Sequence, residues 1–204
     1  GLILFSRLLE TNDGLGDCYQ INDPTSEDLS DLLDTDGGVI RIPDAVGITK
    51  LHSYNNSLFV FAENGIWRIK GVDDVFRATE YSVTRISEVG LRNPDSFVSV
   101  EGVPFWWADN GIYTLTPDQA GFNFREQNLT ITTIQSFYEN INSTAKARTQ
   151  GYYDPVNQRI FWLYPDNGET IINKLNNILI LDIPLQAFYP WRVSDQEANT
   201  DYII

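Results

Sequence analysis

The chain has 204 residues, with 14 Lys and Arg against 28 Asp and Glu, a formal net charge of −14, one His, one Cys and no Met. With Cys18 and His52 alone, an intrachain disulfide and a Cys/His zinc cluster are excluded, and any Ser-His-Asp or Cys-His-Asn site would have to use His52; Ser-Lys and Thr nucleophiles stay open. The 42% hydrophobic and 13% aromatic fractions support a packed core, no apolar run reaches the ~20 residues of a bilayer span, and no secretory leader pattern opens the sequence.

Lacking an initiator Met, the chain reads as a piece of a longer product that starts at a processed end. A strand is expected at Leu2–Phe5. Half of the net charge lies in residues 1–50, and Asp23, Glu27, Asp28, Asp31, Asp34 and Asp36 follow one another without a Lys or Arg between them. Such a stretch repels phosphate backbones and anionic membranes. It reads as a solvated acidic loop over 23–36, or as a wall past which DNA slides without sticking. A Ca²⁺ loop at Asp34-Thr35-Asp36-Gly37-Gly38 is a weaker reading, because EF-hand positions five and twelve fall on Gly38 and Ala45. Within the stretch Leu29, Leu32 and Leu33 form a short helical stripe, with Thr25 and Asp28 spaced as a capping box. A strand at Val39–Ile42 follows.

The most informative feature is an internal repeat. Ser57-Leu58-Phe59-Val60-Phe61-Ala62-Glu63-Asn64-Gly65-Ile66-Trp67-Arg68-Ile69 aligns with Val103-Pro104-Phe105-Trp106-Trp107-Ala108-Asp109-Asn110-Gly111-Ile112-Tyr113-Thr114-Leu115, 46 residues later. Each copy reads as strand, tight turn, strand, with Asn-Gly supplying the positive φ of a two-residue hairpin. Arg159-Ile160-Phe161-Trp162-Leu163-Tyr164-Pro165-Asp166-Asn167-Gly168 is a looser third copy, its Gly 57 residues after the second. Strands are expected beside these hairpins at Thr79–Thr84, Phe97–Val100, Leu129–Thr132, Ile178–Ile183 and Phe188–Val193. Ile134, Phe137, Tyr138 and Ile141 at i, i+3, i+4 and i+7 predict an inserted helix over 133–142, capped by Thr132 or Thr133.

A period near 46 residues fits one four-stranded propeller blade of about 40–50 residues. The expected fold is therefore all-β: β-propeller-like repeats of four-stranded blades, forming a single domain or segment over 1–204, with one or two short inserted helices. A β-sandwich is the runner-up. Three recurrences do not by themselves close a ring of about four to eight blades. Adjacent Trp106 and Trp107 must face opposite sides of their strand. The Trp residues read first as inter-blade packing, and second as exposed rings for stacking on sugars. His52 reads as a surface or inter-strand residue and Cys18 as a small buried side chain. No phosphate loop, dinucleotide fingerprint or other cofactor motif is present, and the 28 acids make any chance carboxylate pair uninformative about glycosidase chemistry.

In order along the chain stand Asn22-Asp23-Pro24-Thr25, Asp34 to Ile40, the first hairpin, Pro94-Asp95-Ser96-Phe97-Val98-Ser99-Val100, the second hairpin, and Tyr153-Asp154-Pro155-Val156-Asn157-Gln158-Arg159-Ile160-Phe161-Trp162-Leu163. This order resembles the tail nozzle proteins, or tail tubular proteins B, of short-tailed bacteriophages, over about residues 15–193. The resemblance implies a non-catalytic structural virion protein in a homo-oligomeric, typically hexameric, ring around the DNA exit channel. It also implies tail adaptor and tail fibre proteins as partners, with DNA passing through unbound. Asp23, Glu27, Asp28, Asp31, Asp34 and Asp36 are the candidate channel- or interface-facing acids. The alternative is a propeller that binds or cleaves carbohydrate.

Overall fold

A computed structural model of the chain describes residues 1–8, 33–118, 123–171 and 174–193. The fold is all-β, with blades of the propeller type. Strands β1 (Leu2–Phe5) and β2 (Gly38–Arg41) form a two-stranded antiparallel sheet. Three four-stranded antiparallel sheets follow. The first holds β3 (Ile48–Tyr54), β4 (Ser57–Ala62), β5 (Gly65–Gly71) and β6 (Tyr81–Ser87) in that order. The second holds β7 (Val98–Val100), β8 (Val103–Ala108), β9 (Gly111–Pro117) and β10 (Phe124–Asn128). The third holds β11 (Gln150–Asp154), β12 (Arg159–Tyr164), β13 (Asn177–Asp182) and β14 (Ala187–Arg192). In every copy the repeated strand is the second of its blade. By contacts the chain divides into two compact units, Gly1–Arg92 with Pro117–Glu126, and Asn93–Thr116 with Gln127–Ile204, where the sequence reading takes 1–204 as one piece.

In the first unit, alternation along β4 and β5 sends Val60, Ala62, Trp67 and Ile69 to one face, where they pack on Ile3, Ile40 and Ile42. The opposite face carries Phe59 and Phe61, both fully buried. Phe59 meets Phe124 edge-on at 5.0 Å, and the Arg68 guanidinium lies 5.1 Å over the same Phe124 ring. In the second unit, Val98, Val100, Trp107 and Ile112 of one blade meet Ile160, Trp162, Tyr164, Leu179 and Leu181 of the next in a single core. Trp106 points the other way, as period two requires, and stacks on Tyr113 at 5.9 Å. Both indoles of the pair are thus buried, on opposite sides of β8.

The hairpins differ from expectation in one respect. The two-residue turns are Glu63-Asn64, between paired Ala62 and Gly65, and Asp109-Asn110, between Ala108 and Gly111, and none of these four turn residues has positive φ. Gly65 instead opens the next strand, where a Cβ would come within 2.7 Å of the Ser87 carbonyl oxygen. The left-handed turn geometry occurs at Asn55-Asn56, with φ of 46° and 52°, and at Glu101-Gly102, with φ of 50° and 89°.

The Asn of the repeat has a different task. Asn64 accepts from the Val46 N–H (2.9 Å) and donates to the Asp44 carbonyl (2.8 Å). Asn167 does the same two residues apart, accepting from Asn142 N–H (3.0 Å) and donating to Asn140 C=O (2.8 Å). Each therefore clamps the segment that leads into its own blade. Asn64→Ala and Asn167→Ala each remove two partly solvated hydrogen bonds, and each is expected to cost about 1–2 kcal/mol. Thermal unfolding of the two variants measures this, and an unchanged midpoint in both would refute the clamp.

Two further expectations shift. The strand expected at Leu129–Thr132 lies earlier, as β10, because the Asn128 side-chain oxygen accepts from the N–H groups of Thr130 (2.8 Å) and Ile131 (3.2 Å). That local turn competes with the ladder and ends the strand. The helix expected over 133–142 is two short pieces, α1 (Gln135–Glu139) and α2 (Ser143–Lys146). Thr133 does not cap α1, since its hydroxyl donates back to the Leu129 carbonyl, and Asn142 caps α2 through the Ala145 N–H. Three of the four residues of the predicted apolar face are used: Tyr138 and Ile141 are buried in the core of the second unit, with Ile134 packed against it, while Phe137 is exposed. Of the acidic helical stripe, Leu29 and Leu32 lie outside the described residues, as does Cys18, while Leu33 is exposed and outside any helix.

Candidate functional site

Of the six acids singled out in the sequence, Asp23, Glu27, Asp28 and Asp31 lie outside the described residues, and Asp34 and Asp36 have opposite environments. Asp34 is exposed, its carboxylate accepting from the Thr79 hydroxyl and standing 3.5 Å from Arg77 Nε. Its backbone carbonyl accepts from the Ala78 N–H at 3.0 Å, so the segment is pinned just ahead of β6. Asp36 is only 2% exposed, accepts from the Leu33 N–H at 2.8 Å and lies 3.9 Å from Arg7 Nε. Asp36 is thus turned inward and anchors its own loop, and of the two acids Asp34 is the one that faces solvent. The two carboxylates are held by separate partners and do not converge on a common point. Among the described residues no cluster of three or more His, Cys, Asp or Glu side chains could hold a metal ion.

The aromatic residues also sort by exposure. Trp67, Trp106, Trp107 and Trp162 are buried, and sugar stacking needs an open ring face. Trp191 is the indole left open, at 66% exposure, on the last strand of the third blade. Within the core Trp107 lies 6.1 Å from Trp162 and 5.0 Å from Tyr138, and Trp162 Nε1 donates to the Ser96 carbonyl at 2.9 Å. The Tyr138 hydroxyl donates to the Ala108 carbonyl at 2.5 Å. Burial pushes the Tyr138 phenol well above its ordinary value, and burial together with Asp166 pushes Tyr164 up to about 12. Both rings are neutral at physiological pH.

Two features of the second unit have no sequence signal, because their residues come from strands far apart in the chain. One is Asp166, which accepts from Asn177 (2.9 Å), Asn176 (3.0 Å) and Arg192 (2.8 Å). The Asn177 hydrogen bond, with help from Arg192 and Asn176, holds its carboxyl below the usual range. The acid ties the start of β13 to the end of β14, a structural role. The other is a cleft of about 320 Å³ between the two blades, floored by Val103, Phe105, Leu129, Leu181 and Phe188 and rimmed by Thr and Gln side chains. No charged residue lines it. In a chain of net charge −14 it is a recess lined by uncharged residues.

No protein-family model matches the chain, and a search of curated proteins finds no significant match. No helix among the described residues is long and apolar enough to cross a membrane.

Proposed function

We propose that this chain is a structural part of a bacteriophage tail: a propeller-bearing portion of a nozzle or tail-tube subunit that borders the conduit for DNA ejection. The observation that carries the reading is the use made of the motif residues behind the resemblance. Phe59, Phe61, Trp107 and Trp162 are spent on blade packing, and Asn64 and Asn167 on blade entry, as a structural subunit requires. The acid excess supports it physically. A duplex slides past a wall that repels its phosphates and sticks to one that binds them. In this reading the protein is non-catalytic, resides in the virion, forms a ring with copies of itself and meets the tail adaptor and fibre proteins.

The test has two arms. Negative-stain class averages of the purified protein are expected to contain rotationally symmetric rings with a hole wide enough for duplex DNA. Lone compact particles under all conditions would overturn the nozzle assignment. Neutralising Asp23, Glu27, Asp28, Asp31 and Asp34 to Asn or Gln in phage is expected to slow ejection and alter its salt dependence. An unchanged rate and salt response would remove the acidic segment from the conduit wall.

A further inference from the structure

An acid followed by Asn-Gly recurs after the repeated strand of each blade: Glu63-Asn64-Gly65, Asp109-Asn110-Gly111 and Asp166-Asn167-Gly168. In this dipeptide the backbone can attack its own side chain, because glycine has no Cβ to keep its nitrogen away from the neighbouring amide carbon. In a folded chain the reaction also needs the Asn side chain to be free to swing onto that nitrogen.

The first two copies offer the same backbone. Gly65 pairs with Ala62 and Gly111 with Ala108, each as the first residue of its strand, and neither Asn has positive φ. Their side chains differ. Asn64 is held at both ends of its amide, by the Val46 N–H and the Asp44 carbonyl. Asn167 is held in the same way by the Asn142 N–H and the Asn140 carbonyl. Asn110 clamps no incoming segment. Its Oδ1 accepts from the Tyr113 hydroxyl at 3.1 Å, its Nδ2 has no partner among the described residues, and the residue is exposed. The turn around it is fixed all the same, since the Asn110 carbonyl accepts from Gln135 Nε2 at 2.9 Å and the Asp109 carbonyl from Lys146 Nζ at 2.8 Å.

We infer that Asn110 is the site at which this chain deamidates spontaneously, while the clamps on Asn64 and Asn167 protect those two residues. The Gly111 nitrogen gives up its proton to hydroxide and bonds to Asn110 Cγ. The Cγ–Nδ2 bond breaks, and ammonia leaves with a proton taken from water. Water then opens the five-membered succinimide at either carbonyl, giving aspartate or isoaspartate, and nothing is oxidised or reduced. Both products add one negative charge beside Asp109. Isoaspartate also adds a methylene to the main chain of the turn, and the carbonyl that Gln135 holds becomes the pendant carboxylate. The inference concerns the chain itself and stands or falls separately from tail assembly.

Incubation of the folded protein in mildly alkaline buffer at physiological temperature, followed by peptide mapping with mass spectrometry, reads the rate at each of the three sites. Asn110 is expected to react at least about fivefold faster than Asn64, the equivalent of one net hydrogen bond or about 1 kcal/mol of barrier. Asn167 is the stricter comparison. Gly168 has φ of 84° and nothing within 4 Å of a Cβ, so a slow Asn167 would show that the hold on the side chain decides the rate. In guanidinium, where the clamps are gone, the three rates are expected to converge. Asn64 or Asn167 reacting as fast as Asn110 in the folded chain overturns the inference. So does an Asn110 that stays intact over the time in which the unfolded chain reacts, or an order of rates that persists in guanidinium.

Discussion

Trp162→Ala is expected to lower stability by about 3–5 kcal/mol, enough to leave the second unit barely folded. Three physical losses combine at this site. The indole is fully buried, and its removal leaves a void between two sheets that are each held in register by their own ladders. Such sheets collapse poorly around a missing ring, so most of the cavity cost remains. The tilted contact with Trp107 disappears. The Ser96 carbonyl, which accepts from Trp162 Nε1 at 2.9 Å, is left unpaired in the interior. Guanidinium unfolding followed by near-UV circular dichroism reads the change. A loss under about 1 kcal/mol would show that the two blades do not share this core.

Gly90→Ala is the second large effect, and its cause is backbone and not cavity. A Cβ at residue 90 would stand 2.1 Å from the Glu63 carbonyl oxygen and 2.5 Å from that of Ala62. Neither obstacle is the flexible end of a side chain. The segment after β6 is held there because the Leu91 N–H donates to Ala62 C=O at 2.9 Å and the Thr49 hydroxyl donates to Leu91 C=O at 2.7 Å. Relieving the clash pulls this segment off the β4–β5 turn and withdraws fully buried Leu91 from its pocket. A cost of about 2–4 kcal/mol is expected, from overpacking and the lost hydrogen bonds together. Urea denaturation of the variant measures it, and a stability equal to wild type would mean that the Gly90 approach is not maintained in solution.

Much of this architecture is legible in the sequence because it rests on local rules. The Phe-Val-Phe and Phe-Trp-Trp runs alternate with period two, so the split of Trp106 and Trp107 to opposite sides follows from strand geometry alone. The spacing of the hairpins gives the blade, since nearly every strand lies next to its own partner in the chain. What escapes the sequence has nonlocal or competing causes. Leu129 to Thr132 has the composition of a strand, yet the Asn128 side chain captures the N–H groups of Thr130 and Ile131. The Asn-Gly pairs look like left-handed turns, yet Asn64 and Asn167 are engaged with an incoming segment 18 or 25 residues earlier, and Gly65 lies against the end of a neighbouring strand; of these glycines Gly168, with φ of 84°, has the left-handed conformation. Asp36 looks like one more member of an acidic run, and only its burial separates it from Asp34. The cleft lined by Phe105 and Phe188 draws on residues some 80 apart, which no window of sequence brings together.

The strand order has a consequence for how the chain reaches its native state. In each four-stranded sheet every hydrogen-bonded neighbour is also the neighbour in sequence. Loop closure within a blade is therefore short, and most ladder contacts belong to the low contact-order class that forms early. A blade can complete its hairpins as soon as its last strand emerges from the ribosome, before the next blade is synthesised. Only the faces between blades must wait. Each finished sheet still presents two edge strands, but its inner strands are paired as soon as they are made, and only the packing of one blade on the next needs residues far apart in the chain.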